Sequence, residues 1–350
     1  MVETYAAALV ICGASLALGQ AAIALCGVRR WSWLAPAVGL ALLCALCWGT
    51  VRLPGHGAVS AVLVLLLALG SVAYLWGRLP EGGKVLRLAA PVALLALIVT
   101  AIPFLAEGHF GILGTSFNPD MSQHLLAAAR LAEGQSSQLL HQGYPLGPHA
   151  IVVALNNSLG IGLVQGFSGL MIAVAILASL TALTAFQDQP WPLRIPAALV
   201  IGLTYMVASY FAQGSFKETM QALFFLAFVL ALRESSRNPE WRDLPLRLVP
   251  AALLAVGSVY TYSFPGLIWL GGAAAIWLLI EVLLARITGA PPAGGPVGGP
   301  APEDALATGR GGGSPAVTGP AGRSAPDFTR WSSLSSVSAR CDPRLDWATA

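Results

Sequence analysis

Residues 57–76 read GAVSAVLVLLLALGSVAYLW, twenty positions without a charge. A helix rises about 1.5 Å per residue, so this run spans roughly 30 Å, the thickness of a bilayer's hydrocarbon core. It is flanked by Arg52 on one side and Arg78 on the other. Eight further hydrophobic runs repeat the pattern, at about 5–27, 33–50, 86–106, 163–186, 196–213, 218–233, 248–263 and 266–286. The last two are separated only by Phe264-Pro265. Pro265 lacks an N–H and interrupts the run, so the expected count is eight or nine helices.

Composition agrees. Of the 350 residues 56% are hydrophobic and 10% charged, whereas a water-exposed domain carries about a quarter charged residues. The expected fold is therefore all-α: a polytopic transmembrane helix bundle. It comprises four N-terminal helices over 1–106, a large extracytoplasmic loop over 107–149 containing an amphipathic helix, and the C-terminal helices over 150–286. A Gly/Pro-rich tail over 287–350 completes the chain. Residues 150–162 are apolar but too short to span, which suits an interfacial or re-entrant segment.

The basic residues assign sides. Alternate connections, with the end of the ninth helix, carry Arg29, Arg30, Arg78, Lys84, Arg87, Arg194, Arg233, Arg237, Arg242, Arg247 and Arg286. The other connections carry only Arg52, Arg130 and Lys217. Eleven against three places the N-terminus and loop 107–149 outside under the positive-inside rule. At the N-terminus Glu3 precedes the apolar run and Arg29-Arg30 follow it, the reverse of a secretory signal. The expected location is a cell membrane crossed many times, with the bilayer itself as the first partner. No basic run interleaved with aromatics suggests nucleic-acid binding.

The tail holds 11 Gly and 9 Pro among 64 residues and no apolar periodicity. It buries too little surface to offset its ordering entropy and is expected to be disordered. The five cysteines are Cys12, Cys26, Cys44, Cys47 and Cys341. Cys44-x-x-Cys47 has redox spacing, but it lies in an apolar helix without polar neighbours and reads as core.

Four of the five histidines, His109, His124, His141 and His149, fall in loop 107–149 with Glu107, Asp120, Arg130 and Glu133. Asn118-Pro119-Asp120 opens a helix and Gly134 closes it. Met121, Leu125, Ala128 and Ala132 recur at helical spacing, an apolar face able to lie on a membrane surface. Asp120 and His124 stand four apart on one helical face. They read equally as a general base with its partner or two metal ligands, or as a dipole-favouring acid beside a solvated imidazole. Tyr144-Pro-Leu-Gly-Pro-His149 returns the chain to the membrane through a rigid turn. Ser215-x-x-Glu218 has capping-box spacing. Lys217 between them opposes the helix dipole unless an anion binds there.

Asp120-x-x-x-His124 in a large outer loop, then Tyr144-Pro-x-Gly-x-His149, then Ser215-Phe-Lys217-Glu218, resembles the multi-spanning GT-C glycosyltransferases over roughly 100–285. That resemblance implies transfer of a sugar from a polyprenyl-phosphate donor to an envelope acceptor at the outer face. It implies Asp120 as base or ligand of a divalent metal, and His124 and His149 as its catalytic assistants. Lys217 would hold the lipid phosphate, with Glu218, Tyr144 and Arg130 completing the substrate-binding set. The chain departs from the family in two ways. Its acidic loop follows the fourth helix rather than the first, and no folded outer domain follows the helices, which suits a partial enzyme. The competing classes are a transporter or lipid flippase, which calls for interrupted helices and midplane charges, and a non-catalytic membrane scaffold.

Overall fold

The computed structural model describes residues 1–79, 82–110, 120–135, 142–237 and 244–288. The chain divides into two units, Met1–Gly295 and Pro296–Ala350, and every described residue belongs to the first. Asn118, Pro119, His141 and the tail beyond Thr288 lie outside the described residues.

All regular structure among the described residues is helical. The helices are α1 (Val2–Leu25), α2 (Ala35–Thr50), α3 (His56–Leu75), α4 (Gly82–Glu107), α5 (Asp120–Ala132), α6 (Gly147–Leu159) and α7 (Leu163–Ala182). After α7, which a 3₁₀ turn extends over Leu183–Phe186, come α8 (Trp191–Gly202), α9 (Tyr205–Ala212), α10 (Phe216–Arg237), α11 (Leu244–Tyr262) and α12 (Pro265–Thr288). Five of these, α1, α3, α4, α7 with its 3₁₀ extension, and α12, contain stretches long and apolar enough to cross a membrane. Helices α2 and α8 are apolar but shorter.

The packing suits an apolar solvent. Helix α7 is the axis, buried along almost its whole length. Helices α3 and α12 instead expose aliphatic and aromatic side chains such as Leu65, Leu66, Leu69, Ile268, Trp269 and Ile276. In water such faces would form patches far beyond what a soluble monomer tolerates. Between helices, small residues permit close approach. A Cβ on Gly39 of α2 would strike the backbone of Ser15 in α1, and one on Gly169 of α7 would lie 2.6 Å from the Thr4 carbonyl of α1. Farther along the bundle Gln221 of α10 accepts from Ser258 Oγ of α11 at 2.7 Å and donates to the Gly266 carbonyl of α12 at 3.3 Å. Such paired polar groups clasp helices where water is absent.

Three expectations change. The run over 196–213 is two helices, because the chain turns at Leu203 and Thr204 caps a new helix, its hydroxyl accepting from Val207 N. Residues 147–159 form α6, buried from Gly147 through Leu155 and packed against α2, α3 and α5, which narrows the interfacial or re-entrant reading to a segment held within the bundle. The apolar face of α5 likewise turns toward protein rather than a membrane surface, with Met121, Ala127, Ala128 and Leu131 buried. The last two share a reason: each short helix supplies the apolar face that the other needs to bury. The final two hydrophobic runs are separate helices, divided at Ser263, whose φ is +63°.

Candidate functional site

Contacts along α7 define two ends of the bundle. At one, Glu3 of α1 accepts from Gly162 N at the start of α7, and Phe216 of α10 packs on Phe167 with ring centroids 5.0 Å apart. At the other, Arg233 of α10 donates to the Ala185 carbonyl beyond α7. Helices α7 and α10 therefore run parallel, and Lys217 belongs to the Glu3 end.

At that end four of the residues singled out in the sequence meet. Lys217 Nζ donates to Tyr144 Oη at 2.7 Å. Tyr144 Oη lies 3.2 Å from His124 Nδ1, and His149 Nε2 lies 3.2 Å from the same atom. Each comes from a different element: α10, the turn before α6, α5 and α6. Gly143, at φ +66°, begins the turn that brings Tyr144 in. Pro148 fits the first turn of α6, where a missing N–H costs nothing. His149 follows it and is fully buried.

The rings sit in an aromatic box. Phe216 meets His124 edge-on at 4.8 Å and His149 at 5.6 Å, and Phe167 meets His149 at 5.5 Å. Burial in this box sets the protonation states. The His124 imidazole is pushed down to about 4 by desolvation, with the Lys217 charge adding and Asp120 opposing. His149 lies well below its ordinary range, first through burial, then through its neighbours His124 and Lys217. Both imidazoles are neutral at pH 7. Burial lifts the Tyr144 phenol to about 12, with Asp120 and Glu218 adding, so it keeps its proton. Desolvation lowers the Lys217 ammonium, while Glu218 and Asp120 work against the shift.

These states order the hydrogen bonds. Lys217 can only donate, so Tyr144 Oη accepts from it and turns its own O–H to His124 Nδ1. His124 Nδ1 has a single lone pair, so the Tyr144 hydroxyl and the His149 ring compete for it, and the tautomers of the two imidazoles are coupled. His149 Nδ1 is buried without a hydrogen-bond partner among the described residues.

Asp120, in the first turn of α5, is exposed and acts on His124, Tyr144 and Lys217 through its charge. Glu218 is half-buried and acts on Tyr144 and Lys217 in the same way. Arg130 is exposed in the last turn of α5, at the opposite end of that helix from Asp120. His109 is exposed and contacts only the Glu107 carbonyl among its described hydrogen bonds. His56, the one histidine outside the loop, packs at Gly134, where a Cβ would lie 2.7 Å from its ring. Among the described residues no three His, Cys, Asp or Glu side chains group as metal ligands. His124 Nδ1 is already committed to Tyr144 and His149. Cys44 and Cys47 are free and buried.

Comparison with protein-family models, curated proteins and solved structures finds no match for this chain.

Two parts of the site escaped the sequence. The first is the wall of the histidine box. Phe216 lay inside a quoted motif without a role, Phe167 looked like any apolar residue of a long helix, and no local signal marks either. The second is a cavity of about 250 Å³ beside α10, lined by Val99 and Pro103 of α4, Met171 and Ala178 of α7, Leu203 at the α8–α9 break, and Leu223. Its lining carries no charged side chain and also includes Thr219, two residues beyond Lys217.

Proposed function

We propose that this chain is a multi-pass membrane glycosyltransferase of eight or nine spans. Its N-terminus and loop 107–149 face outward, and it moves a sugar from a lipid-phosphate donor to an envelope acceptor. The observation that carries this reading is the joining of Lys217, Tyr144, His124 and His149 into one hydrogen-bonded chain beside the Asp120 charge. A cation that can hold a phosphate and a carboxylate that can take a proton thus share one site. The apolar cavity along α10 supports a donor with a hydrocarbon chain, since it begins within one helical turn of Lys217 and is free of charge.

In the reaction the acceptor hydroxyl gives its proton to Asp120 as its oxygen bonds to the anomeric carbon. The bond from that carbon to the donor phosphate breaks with its electron pair going to the phosphate. Lys217 meets the charge that develops there, an interaction stronger in the transition state than in the ground state. Neutral His124 and His149 fix Tyr144, and Tyr144 fixes Lys217. Glu218 keeps Lys217 protonated, and Arg130 at the far end of α5 is available to the acceptor. No step is routed through a metal.

A second reading, lipid translocation, is favoured by one observation: the interrupted α8–α9 pair lines the apolar cavity. The uncharged lining speaks against ion-coupled transport. Incorporation of labelled sugar from polyprenyl-phosphate donors by the full chain in vesicles tests the main reading. Movement of a labelled lipid between leaflets without sugar transfer would replace it with the second.

A further inference from the structure

The opposite end of the bundle holds a second cluster, about 24 Å along α10 from Lys217, the length of the helix from Lys217 to Arg233. The loop between α1 and α2 is pinned there by Gln20, fully buried, which donates to the Arg30 carbonyl at 3.0 Å and accepts from Ser32 N at 3.0 Å. Pinning fixes Trp31 and Trp33, whose rings meet edge-on at 5.8 Å. The Arg194 guanidinium of α8 lies over Trp33 at 5.8 Å and donates to the Leu183 carbonyl at 3.1 Å.

A small cavity of about 30 Å³ opens among Arg30, Trp31, Trp33, Thr184, Gln187 and Glu234. Three buried polar atoms in this region have no partner: Trp31 Nε1, Arg194 Nε and Thr184 Oγ1. The first two can only donate. An unmet buried donor is costly, so the region calls for an acceptor. Thr184 is itself only 3% exposed. The facing acids are Glu234, whose carboxylate accepts from Gln187 Nε2 at 2.8 Å, and Asp188, which acts on Arg194. Against these two stand Arg29, Arg30, Arg194 and Arg233, so the cluster is net positive. Trp191, at the start of α8, is 69% exposed.

We propose that this end binds the phosphate headgroup of an anionic phospholipid. Basic pockets between membrane helices take such headgroups, and tryptophans favour the same depth in the bilayer. The cavity has room for headgroup oxygens but not for acyl chains, which would remain along the exposed helix faces. Phosphate oxygens accept from Trp31 Nε1 and Arg30 supplies the charge, both residues lining the cavity, while Arg194 backs Trp33 from α8. This site is independent of the reaction at Lys217.

The test is native mass spectrometry of the full chain in neutral detergent with phosphatidylglycerol, phosphatidylcholine of the same chains, or inorganic phosphate. Phosphatidylglycerol should stay bound at concentrations at least about tenfold lower than phosphatidylcholine. Arg30→Gln should weaken it roughly fivefold, the worth of one basic charge at a membrane surface. Trp31→Phe keeps an aromatic side chain at the Trp33 contact but removes the indole N–H together with the pyrrole ring that carries it, and should also weaken it. Arg78→Gln removes an exposed arginine outside the cluster and should change nothing. Arg194→Gln would also lose the bond to Leu183, so Arg30→Gln and Trp31→Phe are the deciding variants. Equal retention of the two lipids, or equal losses in Arg30→Gln, Trp31→Phe and Arg78→Gln, would overturn the proposal. Displacement of phosphatidylglycerol by inorganic phosphate at equal concentration would reassign the site to the free anion and overturn the lipid.

Discussion

Lys217 and Tyr144 are 73 residues apart in the chain, and their polar atoms meet at 2.7 Å. The Lys217 ammonium also lies 4.5 Å from the centre of the Tyr144 ring. The lysine is thus held by both the hydroxyl and the ring of a residue whose Oη also lies 3.2 Å from His124 Nδ1. Removing that hydroxyl should release both. Tyr144→Phe keeps the ring but strands a partly buried ammonium, and a hydrogen bond to a charged group contributes about 1.5–3 kcal/mol. A fall in thermal unfolding temperature of the detergent-solubilised chain checks this. An unchanged midpoint would mean that water replaces the phenol without loss.

Asp120→Asn should abolish sugar transfer without lowering the amount of inserted protein. The amide keeps the size of the carboxylate but cannot take a proton, and a positioned base contributes typically about 10²–10⁴-fold. Lys217→Met should instead weaken use of the lipid-phosphate donor, because it removes the cation facing the phosphate. Both are read as labelled sugar incorporated per unit of protein. Full activity in Asp120→Asn would discard the assigned base.

Acid should destabilise the fold before it protonates the site. In the unfolded chain His124 titrates at its ordinary value near 6.5, and in the fold it titrates at about 4. Between these values the unfolded state binds more protons, so stability rises with pH and is lost as pH falls through the window. His149 is shifted in the same direction. Each such imidazole contributes a slope of up to about 1.4 kcal/mol per pH unit. Chemical denaturation at pH 7, 5.5 and 4.5 should show the midpoint falling, and His149→Phe should flatten the trend.

The proposed topology rests on the eleven-to-three distribution of basic residues. Reporter fusions after residues 140 and 240 should give opposite signals, with the first outside. The same signal from both would remove the assignment of loop 107–149 to the outer face.

Gly39→Leu should prevent assembly of the first two helices. Its side chain would enter the backbone of Ser15, which cannot yield as a side-chain tip can. Overpacking in a well-packed core costs about 1–3 kcal/mol, and a backbone clash belongs at the upper end or beyond. Loss of monodisperse protein on size exclusion checks it, with Gly13→Leu, at an open position, as the tolerated control.

Several features were already set by the sequence taken alone. Charge-free runs of about twenty residues require helices in an apolar solvent, because backbone groups there must bond within their own segment. Asp120 and His124 at one-turn spacing, Pro148 at a helix start and Lys217 at another were each legible, because helix periodicity and capping act over about four residues or fewer. The meeting of these residues was not legible. His124 and His149 are 25 positions apart and Lys217 a further 68, and no local rule brings α5, α6 and α10 to one point. Residues 150–162 show the same limit. Their length excludes a span, but only the apolar faces of α2, α3 and α5 decide that α6 lies buried among them. The break at Leu203 and the Phe167–Phe216 box also depend on neighbours distant in the chain. Periodicity says which face of a helix is apolar; what covers that face is a property of the packed bundle, and the packing here is what makes two loop histidines neutral, buried and joined.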